Sequence, residues 1–137
     1  MRIEVAGIPA PQGSKRHVGN GRMVESSRAV GPWREAVRAE TQRACGQLGH
    51  AALPAPGQPI AVSIAFYLPR PKSAPKSVRL PAKRPDLDKL TRAVLDGLTA
   101  GGALADDGQV TSLKAHKMFA GDRGPGCTIE IVWSQHA

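Results

Sequence analysis

The cleanest alternation of apolar and polar positions lies between Ile60 and Tyr67, where Ile60, Val62, Ile64 and Phe66 alternate with Ala61, Ser63, Ala65 and Tyr67. A two-residue period places alternate side chains on opposite faces of a sheet, so this segment is predicted to be a strand with one apolar face. A shorter alternation around Ile3 and Val5 predicts a first strand over Arg2 to Ile8, ended by Pro9 and Pro11. Toward the C-terminus, Gln109 to Phe119 and Cys127 to Trp133 read as two more strands, the latter with Cys127, Ile129, Ile131 and Trp133 turned inward. The turn-rich AGDRGPG between them makes an antiparallel hairpin the simplest pairing. Helical spacing occurs twice. Pro32, at a first-turn position, opens a helix to about Leu48 with Trp33, Val37, Ala44 and Leu48 inward, and Gly46 and Gly49 help to end it. Leu87, Leu90, Val94, Leu95 and Leu98 form the stripe of a second helix, and Pro85 before it keeps its own predecessor extended.

The intervening segments have their own signals. Lys15 to Val24 places short polar-apolar runs around Gly19, Asn20 and Gly21, the mark of a hairpin or tight loop. Gly49 to Pro59 is a connector rich in Pro, Gly and Ala that shows no chemistry. Leu68 to Pro85 holds five prolines, six basic residues and no acid, which predicts an extended loop. The order is strand, basic hairpin, helix, strand, loop, helix, strand, strand. That order predicts an α/β (α+β) fold: a single small domain over residues 1–137, with a mixed, mostly antiparallel sheet and two main helices packed on one face.

Charge narrows the function. Nineteen Lys and Arg stand against eleven Asp and Glu, a formal +8, which points to a polyanionic partner. Cys45 and Cys127 match no metal or redox spacing and read as buried thiols in a reducing, cytoplasmic setting. No apolar run approaches the ~20 residues that span a bilayer, and the first residues lack the regions of a signal peptide. Trp33, Phe66, Tyr67, Phe119 and Trp133 are too few, and mostly too inward, for a platform that stacks single-stranded bases. The Q-G-S-K after Pro11 is not a Walker loop, because five residues separate Gly7 from Gly13 and Ser14 precedes Lys15.

Against this basic background, five of the six aspartates fall between Asp86 and Asp107. Asp86 takes the N-cap of the second helix and Asp88 its first turn, where ordinary capping and the helix dipole also favour acids. Asp106 and Asp107 follow a Gly-rich turn and precede a strand, so a helix-loop-strand return brings them beside the start of that helix. Three or four convergent carboxylates repel one another unless a cation sits among them. Such an incomplete oxygen cage suits Mg²⁺ or Mn²⁺, which keep waters and share positions with substrate phosphate. Along a strand Asp106 and Asp107 would point to opposite faces, so only one of them lines the pocket easily.

The run RPDLDKLTRAVLDGLTAGGALADDGQV followed by HKM resembles the RusA-type Holliday-junction endonucleases. Their hallmark is D-x-D at a helix start, a later D-A-L or similar, then D-D-x-Q-V and a lysine on the next strand. The resemblance extends from about Arg84 to the C-terminus, with a weaker echo in the N-terminal I-P-A-P-Q-G-S-K. It implies a metal-dependent, structure-selective endodeoxyribonuclease that resolves four-way DNA junctions by paired symmetric nicks in recombination and repair, often encoded by phages. It also implies that Asp86, Asp88 and Asp107 are ligands of Mg²⁺, or of Mn²⁺ in its place, and that Lys117 is the family lysine, a phosphate-binding candidate. Two places depart from the family pattern: Lys89 stands where Asn is common, and Arg92 where Lys is common. Arg92, four residues from both Asp88 and Asp96, either builds an ion-pair ladder or grips the scissile phosphate with its planar fork. Asp96 also matches the family and is assigned a structural role.

Further contacts to flanking phosphates are expected from Lys15, Arg16 and Arg22 in the basic hairpin, and from Lys76, Lys83, Arg84 and Lys89 around the proline-rich loop. Two symmetric nicks need two carboxylate clusters, so the expected working unit is a homodimer on branched double-stranded DNA. The C-terminal strand is a place where copies could pair. The alternatives are a noncatalytic basic DNA-binding protein and a transferase that uses D-x-D to hold a nucleotide diphosphate, for which so short a chain has little room.

Overall fold

The computed structural model describes residues 1–13, 15–17, 23–25 and 28–134, with backbone alone at 15–17 and 23–25. The strongest alternation becomes β4 (Ile60–Leu68), an inner strand of a four-stranded sheet. Its neighbours are β5 (Val110–Phe119), which runs parallel to it at the sheet edge, and β6 (Gly126–Trp133), antiparallel on its other side; β1 (Arg2–Ala6) closes the far edge against β6. The sheet is therefore mixed and mostly antiparallel, as expected. The two helices, α1 (Val30–Leu48) and α2 (Leu87–Ala100), join Ile3, Val5, Val62, Ile64, Phe66, Ile129 and Ile131 in one core. The opposite face carries exposed Arg2, Glu4, Ser63, Glu130 and Val132.

The expected hairpin between the last two strands does not form. Past the end of β5 the Ala120 N–H donates to the Leu68 carbonyl at 2.8 Å, so the chain passes the end of β4 and returns on its far side. An inner strand is flanked on both sides, which favours the strand that buries more of its length. β6 is buried at Gly126, Cys127, Thr128 and Ile129 in succession, whereas β5 exposes Thr111, Ser112, Leu113, Lys114 and His116. With partners on both sides, β6 has no free edge with which to pair a second copy.

The basic hairpin does form: β2 (Lys15–His17) pairs antiparallel with β3 (Met23–Glu25), Arg16 opposite Val24. Its turn at Gly19, Asn20 and Gly21, together with Arg22, lies outside the described residues, as do the side chains of Lys15 and Arg16. The loop from Leu68 to Pro85 has no regular element, but Arg70 organises its first half. That guanidinium donates to the Pro75 and Val78 carbonyls at 3.2 and 2.6 Å and lies over the Phe119 ring, 4.4 Å from its centroid.

The inward stripe of α1 departs from its expected course. It runs Val30, Trp33, Val37, Thr41, Cys45, while Leu48 is 43% exposed and Ala44 only partly buried. The reason lies in Gly97 of α2 and Gly101 at its C-cap, which let the helices approach closely. A Cβ on Gly97 would stand 2.6 Å from Val37 Cγ1, and one on Gly101 2.6 Å from Thr41 Cβ and 2.8 Å from the Arg38 carbonyl. Gly97→Ala and Gly101→Ala should each lower stability by about 1–3 kcal/mol through overpacking, and at Gly97 this outweighs the gain of about 1 kcal/mol in helix propensity. Urea unfolding checks the sign, and pairing Gly97→Ala with Val37→Ala should cost less than the sum of the two.

Both cysteines are buried and free, as expected. Burial, with the charge of Glu4 adding to it, pushes the Cys127 thiol up to about 12, leaving it inert near neutrality. No helix among the described residues is long and apolar enough to cross a membrane.

Candidate active site

Helix α2 begins at an extended Asp86, whose carbonyl accepts the Leu90 N–H at 3.0 Å. The Asp86 carboxylate caps nothing, although capping was the simplest reason for an acid there. It is half exposed instead, 3.7 Å from the Lys89 ammonium. Asp88, in the first turn, is exposed on the cleft side of the helix.

The other acidic pair is held differently from expectation. Asp106 and Asp107 lie not on a strand but in a 3₁₀ turn, Asp107–Gln109, with Asp106 as its N-cap. Strand alternation therefore does not distinguish them; hydrogen bonding does. The Asp106 carboxylate accepts from the Gly108 N–H at 3.1 Å, and that bond, followed by one shared with Asp107, holds its pKa below the usual carboxylate range. Asp107 faces a cleft of about 560 Å³ lined also by Leu87, Asp88, Thr91, Arg92, Leu95, Leu113 and Ala115.

Asp88, Arg92 and Asp107, which come from a helix and a separate turn, thus meet on one cleft, while Asp86 is outside that lining. Among the described residues, no group of three or more His, Cys, Asp or Glu side chains is arranged to hold a metal ion. Of the two alternatives for Arg92, the ladder with Asp88 and Asp96 does not form: among the described residues Arg92 has no ion pair within 4.0 Å, and Asp96 pairs with Arg34 of α1 at that distance. Arg92 is left exposed at the cleft. Lys117 donates to the Lys83 and Pro85 carbonyls at 2.6 and 2.8 Å. Lys76, Lys83 and Arg84 are exposed on the proline-rich loop, and Lys89 is half-buried.

The N-terminal echo gains a physical meaning. The Gln12 N–H donates to the Lys89 carbonyl at 2.9 Å, and Arg34 donates to the Gln12 side chain at 2.7 Å. This lays the segment after Pro11 across the start of α2.

Gln109 is the residue that the sequence reading missed. Its Oε1 accepts from the Ala105 and Asp106 N–H groups at 2.9 and 3.1 Å, and its Nε2 donates to the Ala55 and Gln58 carbonyls at 2.9 and 3.1 Å. The connector from Gly49 to Pro59, which showed no chemistry, is the anchor for the turn that carries Asp107. The signal was present, because a glutamine three residues after an acidic N-cap is the capping-box spacing.

Compared with known families, residues 5–132 of the 137-residue chain match the family model described as endodeoxyribonuclease RusA. No curated protein matches the chain.

Proposed function

The chain belongs to the RusA endodeoxyribonuclease family, and from that membership we propose that it resolves four-way DNA junctions by paired symmetric nicks that depend on Mg²⁺, or on Mn²⁺ in its place. The observation that carries this reading is the meeting of Asp88, Arg92 and Asp107 on one exposed cleft.

The donor set fits such an ion. Mg²⁺ is commonly held by one or two carboxylates together with waters and substrate phosphate. Asp88 and Asp107 supply two carboxylates on the cleft; Asp86, outside that lining but uncommitted to capping, is the third ligand that the family resemblance implies. When bound, the ion supplies Lewis-acid polarisation of the phosphate and relief of charge on the departing oxygen. Arg92 approaches the scissile phosphate with two parallel N–H groups, a geometry that an ammonium lacks. Its lack of an ion-pair partner among the described residues leaves that fork available.

Lys15, Arg16, Arg22, Lys76, Lys83, Arg84 and Lys89 contact phosphates on either side of the cut, which orients the duplex without reading its bases. The Lys89–Asp86 pair is exposed enough to be worth little by itself, so Lys89 exchanges it readily for phosphate. Two symmetric nicks require two such clefts, and an isologous dimer supplies them with one self-complementary patch.

The test uses a labelled four-way junction and a matched linear duplex, each with Mg²⁺ and with EDTA, alongside light scattering of the protein with junction bound. Metal-dependent, paired nicking of the junction by a dimer is the expected result. Junction binding that weakens steeply with salt yet yields no metal-dependent product would instead establish a noncatalytic DNA-binding protein. A monomer that cuts both strands in concert would refute the dimer.

A further inference from the structure

We infer that Lys117 is a positioning residue for the cleavage step, clamping the backbone that leads into Asp86 rather than holding the DNA phosphate; this rests on the metal-dependent nuclease reading above. Lys117 is on β5, opposite the fully buried Phe66 of β4. It shares the sheet face of Ala115 and Leu113, two and four residues before it, which line the acidic cleft. From that face its ammonium reaches the Lys83 carbonyl at 2.6 Å and the Pro85 carbonyl at 2.8 Å.

Those two bonds have no substitute nearby. The first half of the proline-rich loop is tied by Arg70 and by the Val78 N–H donating to the Pro75 carbonyl at 3.0 Å. Among the described residues, 79–85 make no hydrogen bond other than the two from Lys117. Pro81 and Pro85, which have no N–H to donate, and the absence of a secondary-structure ladder leave this segment without other hydrogen bonds to fix its end. An ammonium has three donors and no acceptor, so two carbonyls occupy most of its capacity and point it into the loop. The Pro85 carbonyl immediately precedes Asp86. Strand β5 thereby places both acidic segments, Asp107 at the turn into its first residue and Asp86 and Asp88 through Lys117 near its end.

The experiment compares wild type, Lys117→Met and Lys117→Arg in junction cleavage, in junction binding across a salt series, and in amide hydrogen exchange at Asp86–Leu90. A displacement of about 1 Å in reacting groups costs on the order of a hundredfold in rate. Lys117→Met should lose about that much cleavage at saturating protein, need more Mg²⁺ for half-maximal rate, and exchange faster at Asp86–Leu90, with junction affinity and its salt dependence unchanged. Lys117→Arg, which still offers parallel N–H donors to two carbonyls, should recover much of the rate.

A phosphate-binding Lys117 predicts the reverse: weaker binding, a log-log salt slope shallower by about one unit, and unaltered exchange. That result overturns the inference, as does unchanged cleavage. Should Lys117→Met fail to fold, Lys117→Gln and Lys117→Arg are read by the same three measurements. If wild type itself does not cleave, the nuclease reading fails, and the exchange measurement still decides whether Lys117 holds the start of α2.

Discussion

Replacing Asp88 or Asp107 by asparagine should lower junction cleavage by at least about a hundredfold, the loss typical when one preorganised electrostatic contact to the transition state is removed. The two residues line the same cleft from different elements. Each substitution is nearly isosteric, so the helix start and the 3₁₀ turn should persist, while a hard cation loses an anionic oxygen ligand. Junction binding should be unchanged or tighter, because one negative charge facing DNA is gone. Asp106→Asn should be milder, since the asparagine oxygen can still accept from the Gly108 N–H and keep the turn capped. An inactive Asp106→Asn beside an active Asp107→Asn would reverse the assignment within the pair. Arg92→Ala should slow cleavage more than Arg92→Lys, which retains charge but not the fork.

The second large effect is expected away from the cleft. Gln109→Leu conserves volume at a site only 7% exposed but removes four hydrogen bonds. Several of the abandoned groups can recover water, so the loss of stability should be roughly 2–3 kcal/mol. Cleavage, measured well below the unfolding midpoint, should fall further than the remaining folded fraction explains, because the turn carrying Asp107 is no longer tied to the Ala55 and Gln58 carbonyls. Gln109→Glu, which keeps the acceptor but turns a carboxylate oxygen toward the Ala55 and Gln58 carbonyls, should cost at least as much at neutral pH. A Gln109→Leu protein with wild-type urea midpoint and wild-type cleavage would show that the turn positions Asp107 unaided.

The elements themselves, and the region that holds the acids, were legible in the sequence because their signals are local. The two-residue period of Ile60 to Phe66 and the helical stripe of Leu90, Val94 and Leu98 depend only on neighbours along the chain, and each burial pattern follows the expected face. Asp86 at an N-cap and Asp88 in a first turn are equally local facts. So is the concentration of basic residues and prolines between Leu68 and Pro85, which no regular element could accommodate.

Tertiary structure decided how those pieces pair and where their donors and acceptors go. Short connection made a hairpin of the last two strands the simplest reading, yet β6 took the inner place, being buried over most of its length where β5 is largely exposed. The stripe of α1 turned toward Thr41 and Cys45 because Gly97 and Gly101 leave room there, a complementarity between segments more than fifty residues apart in sequence. Asp106 and Asp107 are adjacent and chemically identical, and a Gly108 N–H and a glutamine side chain gave them different hydrogen bonding. Arg92 and Lys117 followed the same rule, since a cation's role depends on which oxygens the folded chain brings within reach. Along the sequence Arg92 stood between two acids, but α1 brought Arg34 to one of them; Lys117 stood beside none, and the loop brought it two carbonyls.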